Sequence, residues 1–200
     1  MRHLASLSLL IFGAVIFIHA GTVAGTPTPP PVAKVLDLFD QLRAAQDNKD
    51  GAPKHVAFNL NEADINEYLR YAQKTAPRPG LDSMTVKVFP KNYISTFTRV
   101  DFDAVERWHP GTIPAVLRPF LKGKKSIWID CRIVTGDSKF IFTVEKARYD
   151  DLPLPAFFVE KIIQLVAARQ PEKYDTTKPV PLPFGLRTIF TSDHIVQGNN

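Results

Sequence analysis

The sequence has a single cysteine, Cys131, among its 200 residues. One thiol cannot form a disulfide within the chain, and it cannot build a cysteine metal cluster. Because Cys131 lies in an apolar run, the sequence predicts that it is a small buried side chain in a strand. Disulfide stabilisation within the chain is therefore excluded, and the fold has to depend on its apolar core.

Basic residues are not clustered into a long block. The formal net charge is +5, yet no Lys/Arg run reaches five residues, and the densest segment is Lys122-Gly-Lys124-Lys125. A nucleic-acid partner requires a stripe of cations along the phosphates, so we expect no nucleic-acid binding. The basic balance is compatible with an anionic membrane surface, or with no specific partner at all.

Motifs of the common enzyme and metal-binding classes are missing. His55, His109 and His194 are far apart and form no HxH or HxxxH pair, which argues against a zinc site. The sequence contains no G-x-S-x-G elbow, no P-loop and no G-x-G-x-x-G. We therefore expect neither an enzyme nor a cofactor.

Two polar clusters have structural interpretations. Ser192-Asp193-His194 contains the residue types of a catalytic triad, but three consecutive side chains cannot aim at one another, so the segment predicts a turn. Asp150-Asp151 is interpreted as a solvated loop, with a cation site or an acid pair as the alternatives. A hydrolase that uses unidentified carboxylates stays open as a hypothesis of another class.

The N-terminal segment has the pattern of an export signal. Arg2 precedes an apolar run from Leu4 to Ile18, and the small residues Ala20 and Ala24 are candidate cleavage positions. The predicted organisation is a signal peptide at 1–24, a proline-rich leader at 25–32 and one domain at 33–198. The expected location is periplasmic or secreted, and an uncleaved N-terminal membrane anchor is the alternative.

Apolar spacing predicts helices in three main segments. One is an amphipathic helix over 32–45. Another begins at Asn61, whose side chain can cap the first turn, with Asp64 in the reciprocal capping position. In that helix Asn66 is expected to hydrogen-bond to neighbouring backbone. A further helix spans 155–168, and a short one is expected at 114–121.

Period-two alternation predicts the strands of an antiparallel sheet. The strand segments are 84–89, 93–102, 126–134, 139–147 and 186–191. The "TGDS" segment at 135–138 predicts a hairpin turn, with Gly136 available for a positive φ. Runs of helices and antiparallel strands predict an α+β fold. Apolar residues fall on both faces of the sheet, which indicates a further layer or an apolar pocket.

Three segments resemble a known group of exported bacterial proteins. The helix start "LNEADINEYL", the stretch "GDSKFIFTVEKARYDDLPLPAFFVEKII" and the ending "KPVPLPFGLRTIFTSDHIVQG" resemble the YceB-type lipoproteins and lipid-binding proteins of the tubular lipid-binding (TULIP) superfamily. The resemblance covers roughly 55–198, without a match around 103–125 and without the cysteine of a lipoprotein. It implies a curved antiparallel sheet wrapped around a long helix, with lipid in an apolar groove and no catalytic residues.

The sequence therefore predicts an exported protein that binds a lipid or another hydrophobic small molecule in an apolar groove. The alternative is a periplasmic structural or interaction protein without a ligand. The predicted groove lies between the 155–168 helix and the inward side chains of the strands. The residues expected to line it are Phe97, Ile127, Ile129, Phe140, Phe142, Phe158, Ile162 and Leu165.

Overall fold

The computed structural model describes residues 29–47, 55–108, 110–111, 113, 115–167 and 178–200. The predicted signal peptide and the leader up to residue 28 lie outside the described residues. The first described helix begins at Pro30, so the last residues of the predicted leader belong to the folded domain. No helix in the described part of the chain is long and apolar enough to cross a membrane.

The described elements alternate between helices and antiparallel strands. The helices are α1 (Pro30–Asp47), α2 (Glu62–Thr75), α3 (Phe102–Trp108) and α4 (Ala156–Ala167), with 3-10 turns at Ala115–Leu117 and Pro183–Gly185. The strands are β1 (Ala57–Asn61), β2 (Leu81–Phe89), β3 (Tyr93–Asp101), β4 (Lys124–Gly136), β5 (Lys139–Tyr149), β6 (Leu152–Leu154), β7 (Val180–Pro181), β8 (Thr188–Ser192) and β9 (Ile195–Asn199).

The strands form two antiparallel sheets, which confirms the predicted α+β class. The larger sheet has the order β2-β3-β4-β5-β6, with β7 paired to the other end of β5, and the smaller sheet has the order β1-β9-β8. Helix α2 packs on β2 and α4 packs on β5. Both helices cover the same face of the larger sheet, because Val86 faces Thr96, and Thr96 in turn faces Ile129 beside α4.

A bulge explains why apolar residues of β5 fall on both parities. Cys131 faces Val144, whereas Ile129 faces Ala147, so one extra residue is inserted in β5 between the two pairs. Val144 and Ala147 are both buried even though they differ in parity. An inserted residue shifts the inward face of a strand by one position. A prediction from strict alternation therefore assigns the residues beyond the bulge to the wrong face.

Three local expectations differ from the structure. Gly136 ends β4, and the left-handed turn residues are Asp137 (φ 51°) and Ser138 (φ 58°), because a two-residue hairpin needs positive φ at both central positions. Strand β3 stops at Asp101, whose carboxylate accepts from the Ala104 N–H at 3.0 Å and thereby starts α3. The helix expected at 114–121 is only a 3-10 turn before Pro119, which lacks an N–H.

Candidate functional site

An apolar cavity of about 130 Å³ lies where the two sheets and the first two helices meet. No charged side chain among the described residues lines it. Two of the lining residues carry a hydroxyl: the Thr96 hydroxyl donates to the Ile129 carbonyl oxygen at 3.3 Å, and burial raises the pKa of Tyr68 to about 12. The lining residues are Val35, Leu38, Phe39, Leu42, Phe58, Leu60, Ile65, Tyr68, Val86, Val88, Ile94, Thr96, Ile133, Pro183, Phe184, Leu186, Ile189 and Val196.

Helical and strand periodicity place these side chains on the cavity. In α1, Val35, Leu38, Phe39 and Leu42 lie at i, i+3, i+4 and i+7 and therefore share one face. In the sheets, alternate residues such as Val86 and Val88 of β2 point inward. The cavity wall is thus assembled from regular elements whose inward faces do not fill the space between them.

Helix α1 is tied to α2 at the side of the cavity. The Lys34 ammonium lies 2.6 Å from the Asp64 carboxylate, and Asp64 is buried. Asp64 also completes the predicted capping box, since its N–H donates to the Asn61 side chain at 2.7 Å and its carboxylate accepts from the Asn61 N–H at 3.4 Å. The same side chain therefore starts α2 and holds α1 against it.

The cavity comes nearest to solvent beside the smaller sheet and the Pro183–Gly185 turn. Lining residues from these elements, such as Phe58, Ile189 and Phe184, are half-buried, whereas most from α1, α2 and β2 are buried. Phe184 stacks on Phe39 with ring centroids 6.0 Å apart, and its φ of 56° is left-handed. Such a backbone costs a non-glycine residue about 1–3 kcal/mol and is concentrated at ligand clamps and other functional positions.

The smaller sheet depends on a glycine to bring an aromatic ring to the cavity wall. Gly198 of β9 lies opposite Phe58 of β1, and a Cβ on Gly198 would approach the Phe58 ring to 2.7 Å and the Thr188 carbonyl oxygen to 2.8 Å. Real Cβ contacts are not that short, so a side chain here would displace Phe58. The position of Phe58 therefore requires a glycine at 198.

The predicted behaviour of Asn66 is confirmed. Its amide donates to the carbonyl oxygens of Val86, at 2.8 Å, and Glu62, at 3.0 Å, and its side-chain oxygen accepts from the Val86 N–H at 2.8 Å. Glu62 accepts from the Val88 N–H at 2.8 Å. Since β2 is an edge strand, these side chains of α2 occupy backbone groups that another strand could otherwise pair with.

Glu62 also pairs with His194, a contact that no sequence pattern indicates. The His194 Nδ1 lies 2.9 Å from the Glu62 carboxylate, in the turn between β8 and β9. Partial burial would raise the pKa of Glu62, but the Val88 N–H and His194 outweigh it and lower the pKa below its ordinary 4.5. The hydrogen bond to Glu62, with Asp193 nearby, raises the pKa of His194 above its ordinary 6.5, against a smaller opposing effect of Lys87.

These shifts fix the pH range in which the pair stabilises the fold. His194, whose pKa is raised, contributes below pH 6.5, and this stability is lost as the pH rises through the folded-state pKa. Glu62, whose pKa is lowered, contributes above pH 4.5, and this stability is lost as the pH falls through the folded-state pKa. The pair is therefore most stabilising between pH 4.5 and 6.5.

The residues predicted to line a groove do not line the cavity, as far as the structure describes their side chains. Ile129 is buried with Val144, Ala147 and Val159 of α4, and Ile127 and Phe142 pack against that cluster. The structure thus brings part of the predicted set together, in a packed contact between α4 and the sheet. Two further members lie elsewhere: Phe140 packs against the main core, and Phe158 is exposed.

The other predicted groove residues are separated from this contact. Phe97 points from the opposite face of the sheet, since its strand neighbours Thr96 and Thr98 are the buried ones. Its ring packs against Trp128 with centroids 4.3 Å apart. The side chains of Ile162 and Leu165 lie outside the described residues.

The remaining candidate reactive groups have structural roles. Cys131 is buried as predicted, and burial raises the pKa of its thiol to about 12. The Asp150 carboxylate accepts from the Ser126 N–H at 2.8 Å and pairs with Lys125 at 2.9 Å, which holds the pKa of Asp150 below its ordinary value. Within the described residues, no group of three or more His, Cys, Asp or Glu side chains is placed to hold a metal ion.

Comparison with known proteins adds no family assignment. No family model matches the chain, and no curated protein and no solved structure gives a match to it. The resemblance to exported bacterial lipid-binding proteins therefore stays a prediction, and the cavity itself carries the functional argument.

Proposed function

We propose that this protein binds a small apolar molecule, or the hydrocarbon end of a lipid, in the cavity between its two sheets. The observation that carries the proposal is a void of about 130 Å³ with an apolar lining. Protein interiors are close-packed, and voids larger than a water molecule are few.

The volume limits what can be bound. An engineered apolar cavity of about 150 Å³ stays dry and binds benzene or xenon, so this cavity has room for about five non-hydrogen atoms. Five buried methylene groups contribute about 4 kcal/mol before the cost of association is subtracted, so the Kd is about 1 mM or weaker. A longer lipid would gain additional affinity only from contacts outside this cavity.

The wider proposal concerns where and how the protein acts. Its predicted signal segment at 1–24 supports export, and its resemblance to tubular lipid-binding proteins supports a role in holding envelope lipid without catalysis or a cofactor. A sheet that curves around a long helix is part of this proposal. It is supported by α2 and α4, which cover the same face of the larger sheet.

Two measurements test the proposal. Native mass spectrometry and organic extraction of the purified protein should recover an apolar molecule. Titration with benzene or decanoate should raise the thermal unfolding midpoint and shift methyl resonances of lining residues such as Val88 and Val196. A protein that purifies empty and responds to neither probe would favour the alternative, a structural or interaction protein without a ligand.

A further inference from the structure

Strand β1 lies at one margin of the smaller sheet and pairs with β9 along one side. The Glu62 N–H donates to the His194 carbonyl oxygen at 2.8 Å, and the Asn200 N–H donates to the Val56 carbonyl oxygen at 3.2 Å. Both contacts continue the ladder of β1 and β9 in the same register, so the even-numbered residues of β1 bond to β9. Backbone groups of an antiparallel strand point to alternate sides, so those of the odd-numbered residues point away from the sheet.

The outward backbone groups belong to His55, Ala57 and Asn59. No hydrogen bond from another described residue reaches their N–H or carbonyl groups, and all three residues are exposed. Asn61 is the next residue of this series, but its N–H already donates to the Asp64 carboxylate at 3.4 Å. The open part of the edge is therefore centred on Ala57.

Other strands at the sheet margins carry groups that block strand addition. On β2, the Asn66 side chain bonds to both backbone groups of Val86. On β8, the Asn92 side chain accepts from the Thr191 N–H at 2.7 Å. Strand β6 is only three residues long, and Pro153 at its centre lacks an N–H. Natural proteins protect strand edges in such ways, so the unprotected edge of β1 indicates a partner strand, whose backbone carries the matching donors and acceptors.

The sequence of β1 fits a second copy of itself. Neither β1 nor the two residues before it contain Lys, Arg, Asp or Glu, so two copies bring no like charges together here. Antiparallel pairing about a two-fold axis at Ala57 places this small residue opposite its own copy. The same pairing places His55 opposite Asn59, and Val56 opposite Phe58. Phe58 is half-buried, so contact with the second copy buries more of its ring.

We infer that β1 pairs with β1 of a second copy of the chain, antiparallel and about a two-fold axis at Ala57. Such a contact uses the same edge on both copies and is complete with two of them. It joins the smaller sheets of the two copies into one continuous sheet of order β8-β9-β1-β1-β9-β8. The inference goes beyond the proposed function, since the pairing needs no molecule in the cavity.

Sedimentation equilibrium and amide hydrogen exchange test the inference. The purified protein should show a monomer–dimer equilibrium, and exchange at the Ala57 and Asn59 amides should slow as the protein concentration rises. The amides of Phe58 and Leu60 already bond to β9, so their exchange should depend much less on concentration. This difference between neighbouring amides identifies pairing through the outward edge of β1.

Charge substitution at the axis tests the register. Ala57→Lys places two like charges opposite each other, and so does Ala57→Glu, so each variant alone should dimerise at least about tenfold more weakly. An equimolar mixture of the two variants should restore dimerisation, because opposite charges then face each other across the axis.

Thr85→Lys is the matched control, since it adds the same charge at an exposed position of β2, the edge strand that α2 blocks. It should dimerise like the unchanged protein, and urea unfolding should confirm that every variant is folded. Ala57 does not line the cavity, so Ala57→Lys should bind benzene like the unchanged protein, which separates this inference from the proposed function. A protein that stays monomeric at every concentration, an equal loss in Thr85→Lys, or a dimer whose Ala57 and Asn59 amides exchange freely would overturn the inference.

Discussion

Filling the cavity with a ring of the protein's own should abolish ligand binding. Val196 of β9 lines the cavity and lies between Leu60 of β1 and Thr191 of β8. Val196→Phe adds about four carbon atoms to a cavity with room for about five non-hydrogen atoms. The cavity volume is about 130 Å³, so little space for a ligand remains.

The expected magnitude results from two opposing effects. Burying four more carbon atoms stabilises by up to about 3 kcal/mol, at about 0.8 kcal/mol each. Strain from an imperfect fit costs about 1–3 kcal/mol. The free energy of unfolding should therefore rise by no more than about 2 kcal/mol, while the affinity for benzene or decanoate should fall at least about tenfold.

The assay is isothermal titration with both ligands, combined with urea unfolding. Val134→Phe is the matched control, since it adds the same ring on β4 at a position that is 58% exposed. The control should bind like the unchanged protein. If Val196→Phe binds both ligands with unchanged affinity, the cavity is not the binding site and the reasoning from its volume fails.

Three further outcomes are expected. Asn66→Asp keeps the acceptor for the Val86 N–H but loses the donor to the Val86 carbonyl, so the free energy of unfolding in urea should fall by about 1–3 kcal/mol; an equal loss for exposed Asn59→Asp would contradict the specific role of the edge contact. The free energy of unfolding should decline as the pH rises through the raised pKa of His194, and His194→Gln should flatten that part of the curve; an unchanged curve would show that the turn contact does not contribute. The Cys131 thiol, with its pKa raised to about 12, should react with an aromatic disulfide reagent only as fast as the protein unfolds; rapid labelling of the folded protein would contradict its burial.

Local signals in the sequence predicted the local structure well. The capping box at Asn61 and Asp64 depends on residues three positions apart, and both of its hydrogen bonds are present. The hairpin of β4 and β5 follows from alternation on either side of a two-residue turn. The sequence also predicts that Asn66 hydrogen-bonds to backbone. The cap at Asn61 accounts for the other polar side chains at the start of the helix, but it does not account for Asn66.

The cavity could not be predicted in the same way, because its wall is assembled from many separate segments between Val35 and Val196. Hydrophobic periodicity and secondary-structure propensity identify which face of each element is apolar. They do not identify which of these faces leave space between them when the elements pack. The contact between Glu62 and His194 joins residues 132 positions apart. The residues predicted to line a groove lie outside the cavity lining for a related reason, since Ile129 and Val159 satisfy the same apolar pattern by packing together.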